Sequence, residues 1–188
     1  MKIGYAMCGS FCTHKKSLEI LRKLKDNGYD ILPILSEITA VSDTRFGTAK
    51  ELVSAVEDVC ENKAIKTIIA AEPLGPREIL DALVICPCTG NTLAKLASGI
   101  TDTTVTMAAK AHLRSDRPLV IALATNDAMS ANLGNIGKML NRKNVYFVPM
   151  RQDDPVNKPH SLVAELSLLP RALSAAREGK QLPTLFVN

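Results

Sequence analysis

The segment 84–102 constrains the fold of this chain more than any other part of the sequence. It begins inside an apolar, β-branched run over 82–86, which suits a buried strand, and Pro87 is expected to end that strand because it has no N–H to donate. Small polar residues then form a turn, and a helix is predicted over 92–99 with a glycine as its stop. A strand that leads through such a turn into a helix places backbone N–H groups at a positive dipole end. This arrangement suits a phosphate, a carboxylate or the polar edge of a flavin ring.

Predicted strands alternate with predicted helices along the chain, which indicates an α/β fold with a three-layer, doubly wound parallel sheet. With 188 residues, of which 46% are hydrophobic, residues 1–188 suffice for a single domain with a sizeable core. The strands are expected at residues 2–8, 29–35, 66–71, 82–86, 118–124 and 144–149. The helices are expected at residues 14–27, 48–60, 92–99, 102–115 and 128–140, with a short turn from Pro76 and a last helix that Ser161 caps and Pro170 kinks or restarts.

Some residues at predicted strands have both a structural and a functional interpretation. Pro33 lies inside the second strand and favours an edge position or a bulge there. Ligands of open α/β sheets lie beyond the carboxyl ends of the strands, so Ser36 could bind a phosphate or could simply cap the next turn. Glu72 follows the third predicted strand and could contact a substrate or partner, although a plain loop carboxylate is the better interpretation.

Composition argues against several classes of function. The net charge is +4 without a dense Lys/Arg run, and aromatic residues make up only 4%, so a nucleic-acid partner is not expected. No apolar run approaches the ~20 residues of a membrane helix, and the chain starts directly with a strand, which predicts a cytoplasmic protein without membrane contact. Five cysteines, an odd number, are expected to stay reduced. The spacing of Cys86 and Cys88 is too short for a zinc site, and no metal is expected.

The segment 86–102 has the sequence C-P-C-T-G-N-T-L-A-K-L-A-S-G-I-T-D. It resembles, without a gap, the pattern A-P-x-S/T-x-N-T-x-A-K-x-A-x-G-x-x-D of the homo-oligomeric flavin-containing cysteine decarboxylases, a flavoprotein family that also includes flavin prenyltransferases. Gly9, Ser10 and Ser36 match positions on the phosphate side of that family's flavin site. The resemblance covers residues 2–150 and implies a Rossmann-like flavoprotein fold, FMN as the cofactor, and a homo-oligomer, a trimer or dodecamer, with the flavin at subunit contacts.

Donor-rich turns and the resemblance together define the candidate binding residues. Small hydroxyl and amide side chains are expected to form a receptacle for a negatively charged guest at the carboxyl edge of the sheet. Asn91 and Asn126 are expected to orient a polar ring edge or a carboxylate by hydrogen bonds. The cofactor-binding residues are predicted to be Gly9, Ser10, Phe11, Ser36, Cys88, Thr89, Gly90, Asn91 and Asn126.

The chain lacks residues on which the chemistry of that family depends. The catalytic histidine of the decarboxylases falls at Pro73, and the arginine of the prenyltransferases falls at Ala124. The substrate clamp P-x-M-N-x-x-M-W keeps only Asn126 and Met129. No catalytic residue is therefore assigned. The histidines lie outside motif positions and are expected to be surface or capping residues: His14, His112 and His160.

The whole chain, including the segment 72–76 with the sequence E-P-L-G-P and the pair Asn126-Asp127, also resembles one branch of the family, in which a B chain works with an A chain that carries a nicotinamide-binding domain. This resemblance implies an oxidoreductase subunit that is linked to NADP through the A chain. The pair would oxidise a dihydropyridine dicarboxylate from the lysine pathway to pyridine-2,6-dicarboxylate, in the mother cell of a sporulating bacterium.

Three hypotheses remain open at the level of the sequence. In the first, the pocket holds FMN or the small dicarboxylate itself, and the chain is a redox subunit. In the second, the pocket is degenerate, and the chain completes or stabilises the A chain. In the third, which the missing histidine and arginine disfavour, the chain is a stand-alone FMN-dependent decarboxylase or a protein similar to flavin prenyltransferases.

Overall fold

A computed structural model describes residues 1–75, 77 and 79–187 and contains a mainly parallel sheet with helices on both faces. The strands are β1 (Lys2–Met7), β2 (Asp30–Leu35), β3 (Ala82–Cys88), β4 (Leu119–Thr125), β5 (Val145–Phe147), β6 (Met150–Arg151) and β7 (Leu162–Ala164). The helices are α1 (His14–Asp26), α2 (Glu37–Val41), α3 (Ala49–Cys60), α4 (Ile68–Ala71), α5 (Gly90–Ser98), α6 (Thr104–Leu113), α7 (Leu133–Leu140) and α8 (Leu169–Arg177). The strand order is β2-β1-β3-β4-β7-β6, and β5 pairs with β4. Within the described residues, no helix is long and apolar enough to cross a membrane.

Strand side chains alternate between two apolar layers, and this confirms the predicted three-layer α/β fold. Ala6, Leu83 and Ile121 belong to a cluster on one face, which includes residues of α5, α6 and α7. Tyr5 and Val84 belong to a cluster on the other face, with residues of α1, α3 and α8. Successive side chains of a strand point to opposite faces, so a strand covered on both sides is apolar throughout. β3 is buried along its whole length because it lies between β1 and β4 in this sheet.

Several predicted element boundaries are confirmed by the residues that cap them. Gly28 follows α1 and Gly99 follows α5, with φ angles of +82° and +73° that suit glycine at a helix end. Thr48 and Glu51 form a capping box at the start of α3, which satisfies two backbone donors reciprocally. β2 contains Pro33 and lies at one end of the strand order, as its proline predicts.

The predicted strand over 66–71 is wrong, because most of this segment forms the short helix α4. The Thr67 hydroxyl accepts a hydrogen bond from the Ala70 N–H at 3.2 Å and caps the helix. Ile69 is 85% exposed, so the apolar run is not buried as a central strand would be. A short apolar run fits either a strand or a helix, and the threonine cap decides between them here. The helical turn predicted from Pro76 begins outside the described residues.

The prediction that Pro87 ends the central strand is also wrong. β3 continues to Cys88, which pairs with Leu123 of β4 after an irregularity in the register. Such an irregularity lets a strand pass a residue that cannot donate to the ladder. The Pro87 carbonyl still accepts a hydrogen bond from the Cys8 N–H at 3.1 Å. α5 then begins at Gly90, earlier than predicted.

The sheet carries an antiparallel addition that the sequence did not predict. β7 pairs antiparallel with both β4 and β6, and β6 falls in the segment 150–159 that was expected to be a polar loop.

Ser161 lies before β7 and caps no helix, and its buried hydroxyl has no hydrogen-bond partner among the described residues. Pro170 lies in the first turn of α8, as the restart interpretation predicts. α7 begins at Leu133, later than predicted, because turns occupy much of 126–132.

Candidate functional site

A cavity of about 500 Å³ lies at the carboxyl edge of the sheet, beside the ends of β1, β3 and β4. Open α/β sheets bind ligands at this edge, and the volume lies within the usual range for small-molecule sites. The wall combines five separate parts of the chain: the turn after β1, the loop before α3, the start of α5, the end of β4 and the β6–β7 region.

The structure brings seven of the nine predicted binding residues together in this wall. Cys88 is fully buried at the end of β3 and does not line the cavity. Ser36 does not line it either, because it caps α2 by accepting a hydrogen bond from the Thr39 N–H. The capping interpretation of Ser36 is therefore confirmed, and its binding role stays a prediction. The seven residues in the wall are Gly9, Ser10, Phe11, Thr89, Gly90, Asn91 and Asn126.

The start of α5 supplies backbone donors to the cavity. The Thr89 hydroxyl caps α5 by accepting a hydrogen bond from the Thr92 N–H at 3.1 Å. The first N–H groups of a helix have no partner within the helix, so those of Gly90 and Asn91 can donate to a ligand. The helix dipole adds positive potential at this end.

A polar network lies next to Gly90. The Asp127 carboxylate accepts hydrogen bonds from the Thr125 hydroxyl at 2.5 Å and from the Asn132 amide at 3.0 Å. The Asn132 side chain in turn accepts from the Asn135 amide at 3.0 Å. A Cβ atom at Gly90 would lie 2.6 Å from both Thr125 Oγ1 and Asn132 Nδ2, closer than such atoms can approach. Glycine is therefore the residue that fits here without displacing the network.

Hydrogen bonds to backbone carbonyls fix the turn after β1. The Ser10 hydroxyl donates to the Ala124 carbonyl at 3.1 Å and so joins this turn to the end of β4. His14 Nε2 lies 2.7 Å from the Cys8 carbonyl, and the His14 ring packs edge-on against Phe11 with 5.2 Å between ring centroids. Burial lowers the pKa of His14, which favours its neutral form. His14 thus supports the turn from inside.

The other two histidines do not line the cavity. His112 is fully buried, its Nε2 atom lies 2.9 Å from the Pro118 carbonyl, and its Nδ1 atom has no partner among the described residues. Burial lowers the pKa of His112, and Arg117 lowers it further. His160 is exposed. The expected surface or capping role is therefore wrong for His14 and His112, because both rings are buried and lie against backbone carbonyls.

Sequence reasoning missed the charged residues of the wall. Arg45 and Phe46 come from the loop before α3, with the guanidinium 4.8 Å from the ring centroid. Asp153 and Lys158 come from the β6–β7 region and form an ion pair at 2.7 Å, which raises the pKa of Lys158. In the sequence, only the single aromatic residue of an otherwise polar loop, Phe46, drew attention to the segment that contains Arg45 and Phe46. The remaining wall residues are Cys12, Thr13, Ala124, Thr125 and Val163.

The buried cysteines do not suit nucleophilic chemistry. All five cysteines are free thiols, and burial raises the pKa of Cys8 and Cys86 to about 11 and that of Cys60 to about 12. Burial also raises the pKa of Cys88. Since the thiolate is the reactive form, these side chains are inert, whereas Cys12 is exposed and lines the cavity. In the described part of the chain, no group of three or more His, Cys, Asp or Glu side chains could hold a metal ion.

Comparison with known proteins adds the relationship that the geometry alone does not give. A family model described as Flavoprotein matches residues 1–163. The chain belongs to the Flavoprotein family. It is 40% identical to the B subunit of dipicolinate synthase from Bacillus subtilis (strain 168) over 187 residues, which cover 100% of this chain and 94% of that relative.

Solved structures of other proteins share the fold of this flavoprotein. The B subunit of dipicolinate synthase from Bacillus halodurans matches with a TM-score of 0.91 and 36% identity, over 100% of this chain and 96% of that chain. A dodecameric FMN-dependent UbiX-like decarboxylase from Escherichia coli O157:H7 matches with a TM-score of 0.63 and 22% identity, over 79% of this chain and 80% of that chain. At that identity the second match shows a common fold alone. The resemblance to the flavoprotein family and its Rossmann-like fold is thus confirmed.

Proposed function

We propose that this chain is the B subunit of a dipicolinate synthase and that it acts with an A subunit to oxidise a dihydrodipicolinate-type precursor to dipicolinate. The observation that carries the proposal is a polar cavity at the carboxyl edge of the sheet, in a chain that matches the B subunit of dipicolinate synthase along its whole length. In this proposal residues 1–188 act as one unit, as a homo-oligomer, in the cytoplasm of the mother cell of a sporulating bacterium.

The wall of the cavity fits FMN. Phe11, Phe46 and Val163 offer apolar surface for a flat ring. The Arg45 guanidinium forms no ion pair with any described residue, so its charge is available to a phosphate. When bound, FMN supplies the electron-accepting centre that no amino-acid side chain provides. The chain itself binds the cofactor, orients it and sets its electrostatic surroundings, and NADP belongs to the A subunit in this proposal.

A stand-alone decarboxylase or prenyltransferase is less well supported. No histidine among the described residues lines the cavity, and Pro73 takes the place of the family's catalytic histidine. Ala124 lies in the wall where a prenyltransferase has arginine, and its carbonyl is bound by Ser10. The positions of the family's catalytic histidine and of the prenyltransferase arginine are therefore held by Pro73 and Ala124, which can neither transfer a proton nor carry a charge.

A reconstitution assay tests the proposal. The chain and the A subunit are purified separately, and dipicolinate formation is measured with NADP, with each subunit alone and with both, in the presence and absence of FMN. We expect activity that depends on both subunits and on FMN. Asn126→Ala is expected to lower this activity, whereas Asn141→Ala, at the exposed end of α7, is expected to leave it unchanged.

Three outcomes would count against the proposal. Full activity of the A subunit alone would remove the need for this chain. Activity that requires both subunits but is indifferent to FMN would favour the hypothesis that this chain only completes or stabilises the A subunit. Turnover of a cysteinyl peptide by this chain alone would instead support the decarboxylase.

A further inference from the structure

Two hydroxyl groups in the cavity wall donate their protons to the protein itself. The Thr125 hydroxyl lies 2.5 Å from the Asp127 carboxylate, and the Ser10 hydroxyl lies 3.1 Å from the Ala124 carbonyl. An ionised carboxylate and a backbone carbonyl can only accept, so the direction of both hydrogen bonds is fixed. Because a hydroxyl has one proton, each of these groups can offer only its oxygen lone pairs to a guest.

A third hydroxyl of the wall, that of Thr89 at the start of α5, behaves in the same way. The Thr89 hydroxyl donates to the Thr92 hydroxyl at 3.0 Å, which in turn donates to the Cys8 sulfur at 3.3 Å. Thr89 therefore has no proton left for a guest. This changes the expectation drawn from the sequence, in which small hydroxyl side chains receive an anion. The groups that can attract an anion include the backbone N–H groups of α5 and the charged side chain of Arg45. Thr13 also lines the cavity, and its hydroxyl lies 3.8 Å from the Cys12 sulfur, a contact in which either atom could be the donor.

The two asparagines of the wall, Asn91 and Asn126, offer hydrogen-bond donors beside these hydroxyl acceptors. The side-chain amides of Asn91 and Asn126 form no hydrogen bond with any described residue, and both residues line the cavity. Each amide offers two N–H donors beside its carbonyl. The wall thus combines hydroxyl acceptors with amide donors. The complementary edge on a guest is an imide, in which one N–H lies between two carbonyl groups, and the flavin ring carries such an edge.

We propose that Thr125, oriented by Asp127, accepts a hydrogen bond from the ring N–H of the guest and so selects a flavin by its imide edge. Donation to a carboxylate is a stronger anchor than donation to a neutral carbonyl, which favours Thr125 over Ser10 for this role. The same bond polarises the hydroxyl and makes its oxygen a better acceptor. Thr125 stands where the family's clamp has methionine, so this acceptor is a departure from the family pattern. The inference rests on the proposed function, with FMN as the guest.

The test compares FMN with 3-methyl-FMN, in which a methyl group replaces the proton of the imide nitrogen. Binding is measured by quenching of flavin fluorescence. The wild-type chain is expected to bind FMN at least about tenfold more tightly, which corresponds to the loss of one hydrogen bond with a desolvated partner. Thr125→Val keeps the shape without the acceptor and is expected to bind FMN about tenfold more weakly, with little preference between the two flavins. Thr125→Ser, the matched control, is expected to keep the preference.

The outcomes separate this inference from the proposed function. Equal affinity of the wild-type chain for the two flavins overturns the inference and leaves FMN binding intact. A Thr125→Val variant that keeps the wild-type preference overturns it as well. A wild-type chain that binds neither flavin, alone or with the A subunit, overturns the inference together with the FMN-dependent function. Thermal unfolding checks each variant, and equal affinity of the wild-type chain for the two flavins overturns the inference even if a variant does not fold.

Discussion

At the scale of single residues, Gly90 controls how closely α5 approaches the end of β4. Its position lies against Thr125, Asp127 and Asn132, and a Cβ atom there would lie 2.8 Å or less from atoms of all three side chains. The Asp127 carboxylate is also placed near the start of α5, where a negative charge is favourable. Because Gly90 has no side chain, the backbone N–H groups at the start of α5 can lie directly beside the hydrogen-bond network of Asp127.

Gly90→Ala is expected to lower the free energy of unfolding by about 1–3 kcal/mol, the usual cost of overpacking, and to weaken FMN binding. Gly134→Ala is the matched control, because nothing lies within 4 Å of a Cβ atom at that helical position. This control is expected to stabilise the chain by roughly 0.5–1 kcal/mol, since alanine favours helices more than glycine does. Urea unfolding of both variants measures the difference, and a Gly90→Ala variant as stable as wild type would contradict the account.

Two buried histidines are expected to make the stability depend on pH. Burial lowers the pKa of His14 and of His112 in the folded chain, whereas an unfolded histidine has a pKa of about 6.5. As the pH falls through about 6.5, the unfolded state binds protons that the folded state does not, so stability is lost toward acid pH. The urea midpoint should therefore be lower at about pH 5.5 than at about pH 7.5.

Substitution of single histidines tests which ring causes this dependence of stability on pH. His112→Gln is expected to reduce the difference between the two midpoints, because the buried ring no longer titrates. His160→Gln, at an exposed position, is expected to leave it unchanged. A midpoint that is the same at both pH values in the wild-type chain would show that neither buried ring resists protonation.

Residues with local roles could be predicted from the sequence, and those placed by the tertiary fold could not. Thr89 and Asn91 belong to one continuous strand–turn–helix, and their motif identified them directly. Arg45 and Lys158 reach the same cavity from distant polar loops, which have no period or motif to mark them. The direction of the Ser10 hydrogen bond was equally inaccessible, because it depends on a carbonyl of β4.

At the scale of elements, helix-capping residues predicted the helices and strands better than short apolar runs did. α1 and α3 combine a regular apolar face with clear boundary residues, and both were predicted nearly as they occur. The segment 66–71 carries four apolar residues without a distinguishing period, and Thr67 made it a helix. β6 and β7 are too short to show an alternating pattern, so the antiparallel addition could not be predicted.

Thr48→Ala tests the contribution of the capping box of α3. Removal of the hydroxyl leaves the Glu51 N–H without its partner and is expected to lower the free energy of unfolding by about 1 kcal/mol. Ser54→Ala, at an exposed position on the same helix, is the control and is expected to change it little. Chemical denaturation measures both, and equal midpoints for the two variants would indicate that α3 does not depend on its cap.

At the scale of the whole molecule, strand order creates the cavity. β1, β3 and β4 are adjacent and parallel, so their carboxyl ends and the turns that follow meet at one edge. The antiparallel β7 brings the segment with Asp153 and Lys158 to the same edge. A fold shared with FMN-dependent enzymes does not by itself give this chain their chemistry, which depends on the residues of the wall.

The central claim is that this edge of the sheet binds FMN, and a titration tests it most directly. The purified chain is added to FMN, with and without the A subunit, and flavin fluorescence is recorded to saturation. Saturable quenching with one flavin per chain is expected, weakened by Asn126→Ala and unaffected by Asn141→Ala. Fluorescence that stays unchanged in both mixtures, at protein concentrations well above that of the flavin, would contradict it.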